Sequence, residues 1–189
     1  MRLIGDVHGK HDRYLPLISG VKESIQVGDF GFKYDVLNQV DSVNHRILAG
    51  NHDNHDLWPT YPHFLGNYGN WRNWYYVRGG RSVDKELRTE NINYWPQEEL
   101  SLREMCSAAD DYAKARPEFV VTHECPAFLI APFGNKGYSV TAQFLQRLFD
   151  IHRPKIWVFG HHHRSFTQYF GETKFICLNE LETVDVCSE

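Results

Sequence analysis

Arg2-Leu3-Ile4-Gly5-Asp6-Val7-His8-Gly9 runs from a short β-type segment through a glycine into an aspartate and a histidine two positions apart. The same arrangement, an apolar run leading into metal-binding residues, recurs down the chain. Gly28-Asp29 follows residues 24–27, and Gly50-Asn51-His52-Asp53 follows residues 46–49. Thr122-His123 ends an apolar stretch that starts at Phe119, and Gly160-His161-His162-His163 follows Ile156-Trp157-Val158-Phe159. Arg78-Gly79-Gly80-Arg81 and residues 174–179 are less distinct versions. Because each of the five clear motifs follows a short strand, its polar residues are expected at strand C-terminal ends, where open α/β sheets place their sites. The donors are imidazole, carboxylate and amide without thiolate, a set better suited to Mn, Fe or Zn than to Mg alone.

Between the motifs the pattern alternates. Helices are expected over about residues 10–19 and 35–40, which with the flanking strands make parallel βαβ units with right-handed crossovers. Residues 98–116 read as an amphipathic helix stopped by Pro117, and residues 141–151 as another. Residues 73–78 and 81–83 suggest a hairpin around Gly79-Gly80. Residues 165–170 and 174–178 suggest an antiparallel pair across Gly171-Glu172. Antiparallel strands late in the chain, after early βαβ units, predict two packed sheets with helices outside, in a single domain spanning 1–189.

A chain of 189 residues with 42% hydrophobic residues can bury a substantial core, so disorder is not expected. Its formal net charge of −4 argues against general nucleic-acid binding. An anionic substrate remains compatible, because bound divalent cations reverse the local sign of a site. Four cysteines without C-x-x-C spacing read as free thiols in a reducing compartment. The first strand starts at Met1 or Arg2, which fits no signal peptide, and no apolar run reaches the length of a membrane span. The expected location is therefore cytoplasmic, with no membrane partner and the oligomeric state open.

Taken singly, the motifs have bland explanations. Asp29 could cap a turn, Asn51 could be a turn residue, and His123 could be a satisfied core histidine. Asp6 with His8, and His161 with His163, are spaced i, i+2, so extended backbone would aim each pair to one side. Five such motifs in one short chain are hard to produce by chance.

In this order Asp-x-His, Gly-Asp, Gly-Asn-His-Asp, His and Gly-His-x-His resemble the calcineurin-like metallophosphoesterases, over the span from Asp6 to His163. The resemblance implies an α/β fold, an αββα sandwich of two mixed sheets flanked by helices, with two divalent metal ions. Mn is the first expectation for the ions, with Fe, Zn or Ni as alternatives. Asp6, His8 and His163 would bind one metal, Asn51, His123 and His161 the other, and Asp29 would bridge both. The implied activity is hydrolysis of phosphomonoesters or phosphodiesters by a hydroxide bridging the metals. His52, beside Asn51 but outside the ligand set, would protonate the leaving alkoxide, with Asp53 holding its tautomer. His162, the middle residue of its motif, is expected to point away from the metals. His11, His45, His55, His63 and His152 are assigned no metal.

The chain also departs from part of that family. After Gly28-Asp29 come Phe30-Gly31-Phe32-Lys33, without the second aspartate and the arginine of the protein serine/threonine phosphatase branch. A small-molecule phosphoester is thus expected ahead of a phosphoprotein. Arg78, Arg81, Lys85 and Arg88 form a basic stretch in which Arg81 is the candidate to grip a substrate phosphate. Aromatic residues crowd 58–74, from Trp58 to Trp74. They could stack bases, the ground for a nucleotide or nucleic-acid substrate as the alternative. Packing over the sheet edge is the plainer reading. A metal-binding scaffold without turnover is the remaining alternative.

Overall fold

The computed structural model describes residues 1–134 and 139–187. One sheet holds β1 (Arg2–Ile4), β2 (Ser24–Gln26) and β3 (His45–Ile47), all parallel, with β10 (Thr183–Asp185) antiparallel to β1. The other holds β4 (Tyr68–Trp71), β5 (Trp74–Val77), β6 (Phe119–Thr122), β7 (Ile156–Phe159), β8 (Phe166–Phe170) and β9 (Thr173–Cys177). Its order is β4-β5-β6-β7-β9-β8, with four parallel strands inside and an antiparallel strand at each edge.

Alternation along the strands explains how the layers stack, because successive side chains leave a strand on opposite faces. Leu3, Ile25, Trp74, Tyr76, Phe119, Val121, Val158 and Ile176 meet between the sheets. Ile4 and Ile47 face the opposite way, onto Tyr14 and Ile18 of α1 (His11–Ile18) and onto Leu37. Tyr75, Val77, Val120, Trp157, Phe159 and Phe175 face α2 (Leu102–Ala115) and α3 (Val140–Ile151). The result is the helix–sheet–sheet–helix sandwich that the family resemblance implied.

Several boundaries differ from the sequence expectations. The hairpin expected around Gly79-Gly80 lies earlier: β5 pairs with β4 across Arg72-Asn73, and Arg72 takes φ +55°. Gly79 instead crosses to the first sheet, where its N–H donates to the Ala49 carbonyl at 2.8 Å. The helix expected from Glu98 starts at Leu102. Ser101 accepts from the Glu104 N–H while the Glu104 carboxylate accepts from the Ser101 N–H, a capping box that sets the start. Residues Pro96–Glu98 form a separate 3-10 turn, as do Asp35–Gln39 in place of the helix expected there. β10 was not foreseen, since three residues near the terminus carry little periodic signal.

Candidate metal centre

All the candidate ligands lie at or beyond the C-terminal ends of parallel strands from both sheets. β1 leads to Asp6 and His8, β2 to Asp29, β3 to Asn51, β6 to His123, and β7 to His161 and His163. The structure brings them into two groups. Asp6, His8, Asp29 and His163 form one, Asp29, His123 and His161 the other, with donor atoms within 4.8 Å of one another in each. Asn51 adjoins the second group, its Oδ1 3.0 Å from His123 Nε2. Asp29 belongs to both.

The local backbone that achieves this is not the extended one that the i, i+2 spacing suggested. His8, Asp29, His161 and His163 take φ values of 48°, 57°, 65° and 51°, in the left-handed region. Each such residue costs of order 1–3 kcal/mol, and such strain clusters at functional sites. The loops are stitched to hold it, with the Asp29 carbonyl accepting from Val7 N–H at 3.0 Å and His8 N–H at 2.8 Å. Space is also reserved. A Cβ at Gly50 would collide with Asp29 Oδ1 and His123 Nε2, and one at Gly160 with Asp6 Oδ1.

These donors suit divalent cations. His8 Nε2 and His163 Nε2 face each other at 2.9 Å, with Asp6 Oδ2 3.1 Å from His163 Nε2. Asp29 Oδ2 is 3.7 Å from His8 Nε2, and Asp29 Oδ1 is 3.2 Å from His123 Nε2. Burial pushes the Asp29 carboxyl up, but His123, with help from His52 and His8, holds it well below the usual carboxylate range. Burial pulls the His123 pKa down but Asp29 lifts it to about 10, so Nδ1 donates to the Val27 carbonyl at 3.0 Å while Nε2 carries a proton toward Asp29 that a bound cation would displace. Burial lowers His161 to about 3, so its ring stays neutral and able to donate a lone pair.

Other expectations need correction. Asp53 does not hold His52. Its Oδ1 accepts from Gly31 N–H at 3.0 Å and its Oδ2 from Gly50 N–H at 2.8 Å, so this buried carboxylate ties two site loops together. His52 meets Arg88 instead, whose Nη2 donates to His52 Nε2 at 2.6 Å and which pairs with Asp84 at 2.7 Å. Arg88 lines the cavity of about 260 Å³ beside Asp29, Asn51, His52, His161 and His163. Burial lowers the His52 pKa, opposed by Asp29 and reinforced by Arg88.

His162 turns to Glu124 at 2.9 Å and stacks on Phe133. Glu124, missed in the sequence, also lies 3.4 Å from His161 Nε2. A third group of potential donors, Glu124, Cys125 and His162, is accounted for by its own hydrogen bonds. All four cysteines are free thiols. His45, His55, His63 and His152 bond to Ser24 or to backbone carbonyls. The aromatic stretch mostly packs, with Trp58, Phe64 and Trp74 buried. Among the described residues no helix is long and apolar enough to cross a membrane.

A family profile for calcineurin-like phosphoesterases matches residues 2–165. The chain belongs to that family. Membership supports a phosphoester hydrolase, and calcineurin-like phosphoesterases of the metallophosphoesterase type bind divalent metals. A comparison with curated proteins gives no match. Among solved structures, "GAP50 the anchor in the inner membrane complex of Plasmodium" is 10% identical, with a TM-score of 0.53, covering 95% of this chain and 71% of that one. Phosphopantetheinyl hydrolase from Mycobacterium tuberculosis is 13% identical with a TM-score of 0.49, covering 95% and 89%. A predicted phosphoesterase from Streptococcus pneumoniae TIGR4 is 12% identical with a TM-score of 0.42, covering 95% and 72%. At such identities the likeness bears on the fold alone.

Proposed function

We propose that this chain hydrolyses phosphomonoesters or phosphodiesters with two divalent cations held side by side, with Mn the first choice. The observation carrying this reading is that Asp29 belongs to both donor groups. Asp6, His8 and His163 would hold one cation, Asn51, His123 and His161 the other, and Asp29 both. When bound, such a pair neutralises phosphoryl oxygens and makes a shared water acidic enough to attack at neutral pH. With ligands drawn from β1 through the loop after β7, the whole of 1–189 would act as one domain.

The remaining roles belong to side chains at the cavity. The Arg88 fork can grip two phosphate oxygens at once. In turning to the phosphate it frees His52 Nε2 to take up a proton from water, with Asp29 favouring the charged ring, and that proton would pass to the leaving oxygen. A neighbouring cavity of about 320 Å³ shares His8 and His52 and is lined further by His11, Phe32 and Lys33. It would receive the alcohol portion of the ester. An aromatic ring beside a lysine favours a nucleotide-like leaving group as the second reading, in place of the Trp58–Trp74 stacking idea.

Aryl and bis-aryl phosphate hydrolysis, assayed with Mn and again after chelation, tests the proposal. Activity should vanish on chelation and return with Mn. Asp29→Ala should lower kcat/KM by at least about 10³-fold, or ~4 kcal/mol. A fully metallated protein inert to a broad phosphoester panel would leave the scaffold reading standing. His52→Ala should keep both ions yet slow alkyl esters by about 10²-fold or more. An equal loss on activated aryl esters would remove the acid role.

A further inference from the structure

We propose that Ser82 and Glu98 are positioning residues that fix which end of the Asn51 amide faces the candidate metal centre. The inference rests on the two-cation reading above. An asparagine amide has an acceptor end and a donor end of nearly equal size. Only the oxygen can bind a cation, so a freely flipping amide would present the wrong end part of the time.

Asn51 is 2% exposed, and its Nδ2 donates to Ser82 Oγ at 3.1 Å while its Oδ1 faces His123. A serine hydroxyl alone does not impose that orientation, since it can donate as well as accept. Glu98 removes the choice. Its Oε1 accepts from Ser82 N–H at 2.7 Å and its Oε2 accepts from Ser82 Oγ–H at 2.6 Å. With its proton committed to the carboxylate, Ser82 Oγ offers Asn51 only lone pairs, and the amide must answer with its NH₂ end. Ser82 and Glu98 are both buried, which keeps bulk water from competing.

The three segments are also pinned to one another. Gly79 N–H donates to the Ala49 carbonyl at 2.8 Å, and Arg78 Nη1 donates to the Gln97 carbonyl at 2.8 Å. The stretch from Arg78 to Ser82 thus bridges the Asn51 loop and the turn that carries Glu98. Burial lifts the Glu98 carboxyl to about 7 against the pull of its Ser82 bonds, so at pH 8 it is mostly ionised.

The experiment is Mn²⁺ titration of metal-stripped protein at pH 8 by calorimetry, with bound ions followed by electron paramagnetic resonance. Wild type, Ser82→Ala, Glu98→Gln and Asn51→Asp are compared, with each of the first two substitutions also combined with Asn51→Asp. Ser82→Ala and Glu98→Gln should each weaken one of the two ions by about 10–100-fold, the range for outer partners of metal ligands. Asn51→Asp puts oxygen at both ends of the side chain. In that background the same substitutions should change affinity by less than about threefold. Glu98→Gln conserves shape and decides the matter if Ser82→Ala does not fold. Equal losses in both backgrounds, or none in either, overturn the proposal. A wild type that binds no ion pair overturns the two-cation reading instead.

Discussion

His123 is fully buried and the His161 side chain is 7% exposed, whereas across Asp29 the side chains of His8 and His163 are 19% and 43% exposed. The inner group is braced from behind by the Val27 carbonyl, by Ser82 with Glu98, and by Glu124. The outer group has less support. Among the described residues His163 Nδ1 meets Glu180, at 3.5 Å, which is itself paired to Lys10 near the surface. Rigid, desolvated donors lose little freedom on binding, while exposed ones must be ordered first. The inner group should therefore be the preformed half of the centre and the outer group the half that faces arriving substrate.

That contrast can be broken most sharply with two deletions. In the metal-free protein, His123→Ala strips Asp29 of a partner in a dry site and should cost about 3–5 kcal/mol of stability. His163→Ala, at a half-exposed position, should cost no more than about 1 kcal/mol. Urea denaturation in chelator measures both, and equal losses would erase the distinction between the groups.

A test of intermediate size probes the bracing behind the inner group. Glu98 holds its proton more tightly when folded, at about 7, than an ordinary carboxyl does, because of burial. The stability that this proton supplies is complete below the ordinary carboxylate range and fades as pH rises through 7. Glu98→Gln has no such proton. Between about pH 4 and pH 8 the stability difference should therefore move in favour of the variant, by up to about 3 kcal/mol. A flat difference across that range would mean Glu98 is not desolvated as its surroundings imply.

The smallest expected effect concerns the outer rim. Phe32 is 37% exposed at the cavity beside His8 and His52, while Trp71 packs against the core between the sheets. Phe32→Ala should raise KM for esters with an aromatic leaving group by about 2–10-fold, the worth of one ring contact. Trp71→Ala should change KM by less than about twofold. The reverse result would restore the aromatic stretch as the substrate-facing element.

Legibility differed between elements for physical reasons. β6, β7 and the β8–β9 pair were readable because their apolar runs are bounded by turn residues. The Gly79-Gly80 pair misled, since glycines mark a close backbone crossing as readily as a hairpin turn. Asp53 misled because adjacency to His52 in the chain says nothing about where a carboxylate points. Glu124 sat beside His123 in plain view, yet only the packing of β6 against β7 turns it toward His161 and His162.

The chain by itself determined the donor types, their order and their attachment to strand ends, because hydrophobic period and residue chemistry are local properties. Tertiary structure alone decided which donors meet, and that Asp29 lies between them. It also decided that Arg88 reaches the cavity, and that Glu98 stands behind Asn51 through Ser82. Those relations join residues far apart in the chain, and no local pattern encodes a hydrogen bond made across two packed sheets.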